Sequence, residues 1–187
     1  TKPYHYQVDL CDQQLHVEFA PSHQSAIYNF DYKQNKTPYL ILNAGNGELE
    51  INGNTISGYQ NMWNNLRVYI HMEMDVQPTK AGTLQTDKWE IGKQKAQGDN
   101  TCLVMAWDAS PLKLNVRYGV SYISKEQAKK NLQREIKDFK IKQVIAEGRR
   151  KWNDELSKIQ VAGGTENDRF VFYTSLYRCL ERPVNIS

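Results

Sequence analysis

The sequence predicts a mainly β fold, an antiparallel β-sandwich or barrel, followed by helices. Up to about residue 123, short runs of alternating apolar and polar residues are separated by turn-forming residues. Beyond residue 124, apolar residues recur at steps of three and four, the spacing of an amphipathic helix. The change falls within residues 117–136. We therefore expect this stretch to join two parts of different structural class.

The β part should contain eight to ten short strands. Gly45, Gly47 and Gly53 are expected to provide turns on either side of a short central run. Residues 64–76 are the longest strand candidate, and residues 77–88 form a polar stretch without a predicted strand. In chain order, the alternating runs cover residues 4–10, 13–19, 25–32, 38–44, 47–51, 64–76, 88–92, 101–108 and 112–123.

The first helix is predicted to begin directly after the last strand. Ser124 lies three residues before Gln127, which is the spacing of a capping box. Ala128, Leu132 and Ile136 then follow at steps of four, so they should share one buried face. We expect this helix to end near residue 138.

Two further helices are predicted downstream. The second should cover residues 141–159, with an apolar stripe formed by Val144, Ile145, Gly148, Trp152 and Leu156. The glycine pair at 163–164 should end this region. Thr165 can cap the third helix, and Pro183 should end it. Glu166 and Asp168 would then favour the positive end of that helix.

Composition excludes several classes of protein. The net charge of +3 arises from 24 basic and 21 acidic residues spread along the 187-residue chain, so we expect no nucleic-acid partner. No apolar run reaches the roughly 18 residues that a membrane span requires. Cys11, Cys102 and Cys179 show no CxxC spacing and are interpreted as buried free thiols.

His71, Glu73 and Asp75 form the only grouping that suggests metal binding or acid–base chemistry. Residues two apart on a strand point to the same face, so a carboxylate can lie beside an imidazole. Their spacing of about 7 Å is too long for one metal ion without ligands from another strand. A solvated polar sheet face is the alternative interpretation.

The aromatic residues suggest carbohydrate binding. An exposed tryptophan or tyrosine ring can stack against the apolar face of a sugar. Trp63 is flanked by Asn61, Asn64 and Asn65, and we expect it to be exposed, while the other three tryptophans should lie in the core. Two non-catalytic alternatives therefore stay open, namely a carbohydrate-binding module and a structural or interaction domain.

Several motifs resemble glycoside hydrolase family 92, the exo-acting α-mannosidases. The motifs are KPYHYQVDL (2–10), LHVEFAPS (15–22), RYGVSYIS (117–124), AKKNL (128–132), WNDELSKI (152–159), VAGGTE (161–166) and FYTSLYR (172–178). The resemblance implies a galactose-mutarotase-like β-sandwich over residues 1–122, a helical linker over 123–164 and the first helix of an (α/α)6 catalytic barrel over 165–187. The chain would then be a fragment of a longer enzyme.

The same resemblance implies a calcium-dependent inverting mechanism in the parent enzyme. No position in this chain matches the family's catalytic carboxylates or calcium ligands, so we expect no catalytic residue, no metal site and no calcium in this stretch. Arg182 and Asn185, in the loop after the third helix, are candidates for lying near a sugar, with a plain surface loop as the alternative. Together with Trp63 they form the predicted substrate-binding set.

The resemblance also implies partners and a compartment. The partners would be mannose-containing glycans and the rest of the catalytic barrel. Surfaces that truncation exposes could also let the fragment associate with itself. The enzyme would be periplasmic, attached to the cell surface or secreted.

Overall fold

The computed structural model describes residues 2–33, 37–85, 88–109 and 112–180. These residues form ten β-strands, a short 3₁₀ turn at Trp63–Asn65 and three α-helices. The strands are β1 (Tyr6–Leu10), β2 (Leu15–Pro21), β3 (Ser25–Tyr32), β4 (Tyr39–Asn52), β5 (Thr55–Asn61), β6 (Arg67–Met74), β7 (Lys80–Gln85), β8 (Lys88–Ile91), β9 (Lys95–Ala106) and β10 (Leu112–Ser121). The helices are α1 (Lys125–Glu135), α2 (Ile141–Leu156) and α3 (Glu166–Cys179).

All strands pair antiparallel in one sheet with the order β1-β2-β3-β10-β6-β5-β4-β9-β7-β8. Tyr32 of β3 and Met105 of β9 belong to the same buried core, although five strand spacings of about 4.8 Å separate those strands within the sheet. The sheet must therefore fold over on itself. The predicted antiparallel β-sandwich is confirmed.

The longest strand is β4, and this corrects two predictions. Gly45 and Gly47 do not form turns, because β4 continues through them with two shifts in its register against β9. Gly45 has a positive φ of 56°, and a Cβ atom on Gly47 would lie 2.1 Å from the Tyr59 carbonyl oxygen. These bulges bend the strand. The predicted longest strand at 64–76 is instead the eight-residue β6.

The polar stretch at 77–88 contains a strand that the sequence analysis missed. β7 pairs with β9 on one side and with β8 on the other. Its Thr83 is fully buried despite being polar. The predicted turn at Gly53 is confirmed, since Asn52 pairs with Thr55 across it and Gly53 has a φ of 59°.

Helix α1 lies against the outer face of the sheet, over β10 and β6. As predicted, the Ser124 hydroxyl accepts a hydrogen bond from the Gln127 backbone N–H at 3.1 Å, and Ala128, Leu132 and Ile136 are buried. Gly119 of β10 permits the close contact, because a Cβ atom there would lie 2.3 Å from the Ala128 carbonyl oxygen.

Helix α3 begins at the predicted cap. The Thr165 hydroxyl accepts from the Asp168 N–H at 3.2 Å, and the Asp168 carboxylate accepts from the Thr165 N–H at 2.8 Å. None of its described residues is buried, and Phe170 and Val171 are exposed. Its predicted end at Pro183 lies outside the described residues. No helix within the described ranges is long and apolar enough to cross a membrane.

The burial of tryptophan and cysteine residues differs in part from expectation. Trp107 is 1% exposed and lies in the core, but Trp89 and Trp152 are only half-buried. Cys102 is buried, whereas Cys11 and Cys179 are exposed, so the prediction of three buried thiols is wrong for those two. Both ends of the described chain thus carry thiols that the core does not cover.

Candidate functional site

Trp63 lies in the turn between β5 and β6 and is 74% exposed, as predicted. The Met62 N–H donates to the Leu66 carbonyl oxygen at 2.7 Å, and the Leu66 N–H donates to that of Trp63 at 3.3 Å. Asn64 adopts the left-handed conformation that such a tight turn requires, with a φ of 58°. The backbone therefore holds the indole ring out from one end of the sheet. Its role in binding a sugar stays a prediction.

A chain of polar side chains starts beside this turn and reaches the β4–β9 bulge. The Arg67 Nε donates to Asn61 Oδ1 at 3.1 Å, and Asn61 Nδ2 donates to Asn46 Oδ1 at 2.8 Å. Asn46 Nδ2 then donates to Asp99 Oδ1 at 3.0 Å. All four side chains take part in exposed hydrogen bonds. Amide, carboxylate and guanidinium groups next to an apolar ring are what recognition of a sugar's hydroxyls requires.

A second polar cluster joins this end of the sheet to α1. The Lys125 and Lys95 ammonium groups lie 2.7 Å and 2.9 Å from the Glu48 carboxylate. Their hydrogen bonds lower the pKa of that carboxyl group. Lys125 and Arg67 both lie over the Tyr59 ring, at 5.8 Å and 4.5 Å from its centroid. Because each charge has a partner, this cluster fixes the start of α1 on the sheet.

The His71–Glu73–Asp75 face is solvated at one end only, because Asp75 is exposed whereas His71 and Glu73 are not. His71 is only 7% exposed, and its Nε2 lies 3.1 Å from Glu73 Oε1. Arg117 Nη2 donates to Glu73 Oε2 at 2.6 Å. Burial raises the pKa of the Glu73 carboxyl group, but the hydrogen bonds from Arg117 and His71 outweigh it, and the net shift is downward. The prediction of a solvated polar face is therefore wrong for His71 and Glu73, since α1 packs against β6, but it holds for Asp75.

Asp75 takes no part in that pair. Its carboxylate accepts hydrogen bonds from the Asn115 N–H at 2.8 Å and from Asn115 Nδ2 at 2.6 Å. Within the described ranges, no group of three or more His, Cys, Asp and Glu residues is arranged to hold a metal ion. The described residues therefore offer calcium no cluster of carboxylate ligands.

The described carboxyl groups with a clearly displaced pKa do not have the raised value of a general acid. A general acid needs a carboxyl group with a raised pKa. Hydrogen-bond donors and cations instead lower every clearly displaced carboxyl pKa in the described part of the chain. These groups are Glu48, Glu73, Glu90, Glu126, Glu135, Asp138, Glu147 and Asp168.

A groove between α2 and α3 was not predicted. It has a volume of 780 Å³ and is lined by aromatic rings with a few polar side chains. The Trp152 and Tyr177 rings lie 5.0 Å apart, and Tyr4 from the start of the chain completes the wall. A Cβ atom on Gly148 would lie 2.7 Å from the Tyr4 Cβ. Tyr4 and Trp152 are far apart in sequence, so no local pattern could have revealed that they line the same groove.

The other two predicted substrate-binding residues, Arg182 and Asn185, lie outside the described residues.

Comparisons with known proteins found two family models that match consecutive parts of the chain. The glycosyl hydrolase family 92 N-terminal domain matches residues 1–121, and the catalytic domain of the same family matches residues 127–187. The first match ends where β10 ends, and the second begins within α1. A comparison with curated proteins found no match.

Solved structures also match. A family GH92 inverting mannosidase from Bacteroides thetaiotaomicron VPI-5482 has a TM-score of 0.88 and 25% identity, over 96% of this chain and 26% of that chain. A family GH92 α-mannosidase from the same species has a TM-score of 0.83 and 22% identity, over 94% and 26%. Its complex with mannoimidazole has a TM-score of 0.82 and 22% identity, over 94% and 25%. The chain thus spans about a quarter of the length of these structures.

Proposed function

The chain belongs to glycosyl hydrolase family 92, and we propose that it is part of an exo-acting, inverting α-mannosidase that removes mannose from the α-mannosides of glycans. The observation that carries this proposal is the pair of consecutive matches to the family's N-terminal and catalytic domains, which meet between β10 and α1. One solved relative is described as an inverting mannosidase. Its fold covers almost the whole of this chain.

We propose the following division of labour. Residues 1–122 are part of a β-sandwich that supports the catalytic barrel and helps to wall the sugar pocket. Residues 123–164 are the linker, and residues 165–187 contribute the first barrel helix. In support, α1 lies on the sheet, whereas the described residues of α3 are not buried, as expected for a helix whose packing partners belong to the rest of a barrel.

The catalytic pair is proposed to lie outside residues 1–187. An inverting glycosidase needs one carboxylic acid and one carboxylate, about 6.5–9.5 Å apart on opposite faces of the sugar. The clearly displaced carboxyl pKa values described above are all lowered, which is unsuitable for the acid. The calcium proposed for the parent enzyme would also bind outside this stretch, because the described residues contain no group of three or more His, Cys, Asp and Glu side chains arranged to hold a metal ion.

Activity assays on two proteins test these proposals. The full-length parent should hydrolyse an aryl α-mannoside, with inversion at the anomeric carbon, and a calcium chelator should suppress the reaction. The separately purified 187-residue chain should release no mannose. Turnover by the short chain would contradict the placement of the catalytic pair, and an inactive parent would contradict the proposed activity. The parent is further proposed to be periplasmic, surface-attached or secreted, which cell fractionation can check.

A non-catalytic carbohydrate-binding module is the second candidate function. Trp63 and the adjacent hydrogen-bonded chain from Arg67 to Asp99 favour it, since they combine an exposed ring with hydroxyl-binding groups. Titration of the 187-residue chain with mannose or a mannobiose, followed by tryptophan fluorescence, distinguishes a carbohydrate-binding module from a purely structural domain. A module responds at millimolar sugar, whereas a purely structural domain gives no response.

A further inference from the structure

The first half of β4 has only one paired edge. Residues 39–44 pair with β9, while residues 47–52 pair with β9 along part of their length and with β5 on the opposite edge. β5 ends at Asn61, beyond its pair between Gln60 and Gly47. Among the strands in the described ranges, none continues along that edge beside residues 39–44. This segment therefore presents an open sheet edge.

The register shows which backbone groups face the open edge. The Trp107 N–H donates to the Pro38 carbonyl oxygen at 3.0 Å, so this opposed pair is hydrogen-bonded. Hydrogen-bonded pairs alternate along an antiparallel ladder, so Leu40 and Leu42 also direct their backbone groups to β9. The N–H and C=O groups of Ile41 and Asn43 then face away from β9. The Tyr39 carbonyl oxygen also faces away, since it accepts from the Tyr32 hydroxyl at 2.7 Å.

This edge lacks the features that protect sheet edges in natural proteins. The outermost strand β8 has only four residues and carries Lys88 and Glu90, and short, charged edges resist unwanted pairing. Residues 39–44 instead have the sequence YLILNA, without a charge. Tyr39 is 56% exposed and Ile41 is 48% exposed. An uncharged apolar edge of this kind is a surface for pairing with another strand.

An apolar cavity of 330 Å³ lies beside the same segment, between the two layers of the sandwich. Leu42 and Ala44 line it from β4, and Tyr28, Val68 and Val120 line it from strands of the other layer. A strand added to the open edge would direct every second side chain towards this cavity. One β-strand with apolar residues at alternate positions could therefore pair with the open edge and fill the cavity.

We infer that a β-strand from the parent polypeptide, outside residues 1–187, pairs with the open edge of residues 39–44 and fills this cavity. The solved relatives support this origin, because they superpose on most of this chain yet are about four times as long as the matched part. The same polypeptide can thus supply the strand without any partner. This inference does not depend on the proposed enzymatic activity.

Hydrogen exchange measured by mass spectrometry on the full-length parent tests whether an added strand pairs with residues 39–44. The backbone N–H of Ile41 faces the edge along which no described strand pairs, so its protection in a monomer indicates a strand beyond the described residues. We expect the exchange of the Ile41 and Asn43 amides, resolved individually, to be slowed by roughly a hundredfold relative to an unstructured peptide, since paired sheet amides exchange only after local opening. The Leu40 and Leu42 amides are already paired with β9 and should be protected in either case. Rapid exchange of the Ile41 and Asn43 amides would overturn the inference, and so would protection that rises with protein concentration, since that would identify a second copy.

A pair of variants then identifies the strand. Ile41→Pro removes an N–H that faces the open edge but leaves the β9 ladder its donors, whereas Ile41→Val keeps the N–H and a similar side chain. In the parent, Ile41→Pro should abolish protection of the Asn43 amide and of one peptide outside residues 1–187, and Ile41→Val should change neither. Loss of protection confined to residues 1–187 would contradict the proposed origin. If β9 loosens as well, the wild-type exchange of Ile41 still decides the question.

Discussion

The guanidinium group of Arg117 on β10 lies between the Glu73 carboxylate on β6 and the carbonyl oxygen of Ile136 at the end of α1. Its Nη2 atom is 2.6 Å from Glu73 Oε2, and its Nη1 atom is 2.7 Å from the Ile136 oxygen. The same group lies 4.7 Å from the centroid of the Phe139 ring. One side chain thus holds two strands and the path from α1 to α2 together.

Removing this side chain should loosen the linker. Arg117→Met leaves the Glu73 carboxylate without its main partner in a half-buried position, so we expect a loss of about 2 kcal/mol in the free energy of unfolding. Urea denaturation of the 187-residue chain measures it. Arg150→Met is the matched control, because Arg150 on α2 makes only exposed ion pairs with Glu147 and Asp154. Equal losses in the two variants would contradict the role given to Arg117.

The ion pair between Arg117 and Glu73 should make the stability of the fold depend on pH. The folded pKa of Glu73 is lowered from its ordinary value of 4.5, so its charge stabilises the fold above pH 4.5. That contribution is lost as the pH falls through the lowered folded value. Glu73→Gln should therefore be less stable than wild type at pH 7. The difference between their urea midpoints should shrink below pH 4.5, and a constant difference would count against this explanation.

Gly119 should not tolerate a side chain. In Gly119→Ala the new Cβ would meet the Ala128 carbonyl oxygen and the Leu132 backbone nitrogen of α1, at 2.3 Å and 2.9 Å in the present geometry. We expect a loss of about 2 kcal/mol, because neither backbone atom can move without shifting the helix. Thermal unfolding followed by circular dichroism measures it. Lys113→Ala, at an exposed position of the same strand, should leave the melting temperature unchanged.

Trp63 should affect sugar recognition without affecting stability. Trp63→Ala should weaken binding of a mannoside to the parent about three- to tenfold, which is the range expected for losing one stacked ring. Trp63→Phe should retain most of the affinity. The melting temperature should not change in either variant, because the indole is 74% exposed. Calorimetric titration checks the affinity, and unchanged binding by Trp63→Ala would remove this residue from the candidate site.

Features that depend on neighbouring residues could be predicted from the sequence. The caps at Ser124 and Thr165 were recognised because a cap is defined by residues three positions apart. Trp63 could be identified as exposed because polar residues surround it in the sequence itself.

Features that depend on distant contacts could not be predicted. The burial of His71 requires α1 to cover its face, and α1 lies more than fifty residues further along the chain. β7 was missed because small and polar residues such as Thr83 occupy its inner positions. Gly45 and Gly47 were read as turns because a bulge and a turn use the same residue types, and only the pairing of β4 with β9 distinguishes them.

The position of β10 between β3 and β6 has a consequence for biosynthesis. Of the described strands, β10 is synthesised last but is central in the sheet, so β1, β2 and β3 pair with none of the other described strands until residue 121 has left the ribosome. Pairing over such long sequence separations is slow. The nascent chain must keep its early apolar hairpins soluble until then. The two parts of the sheet can therefore join only after β10 has been synthesised.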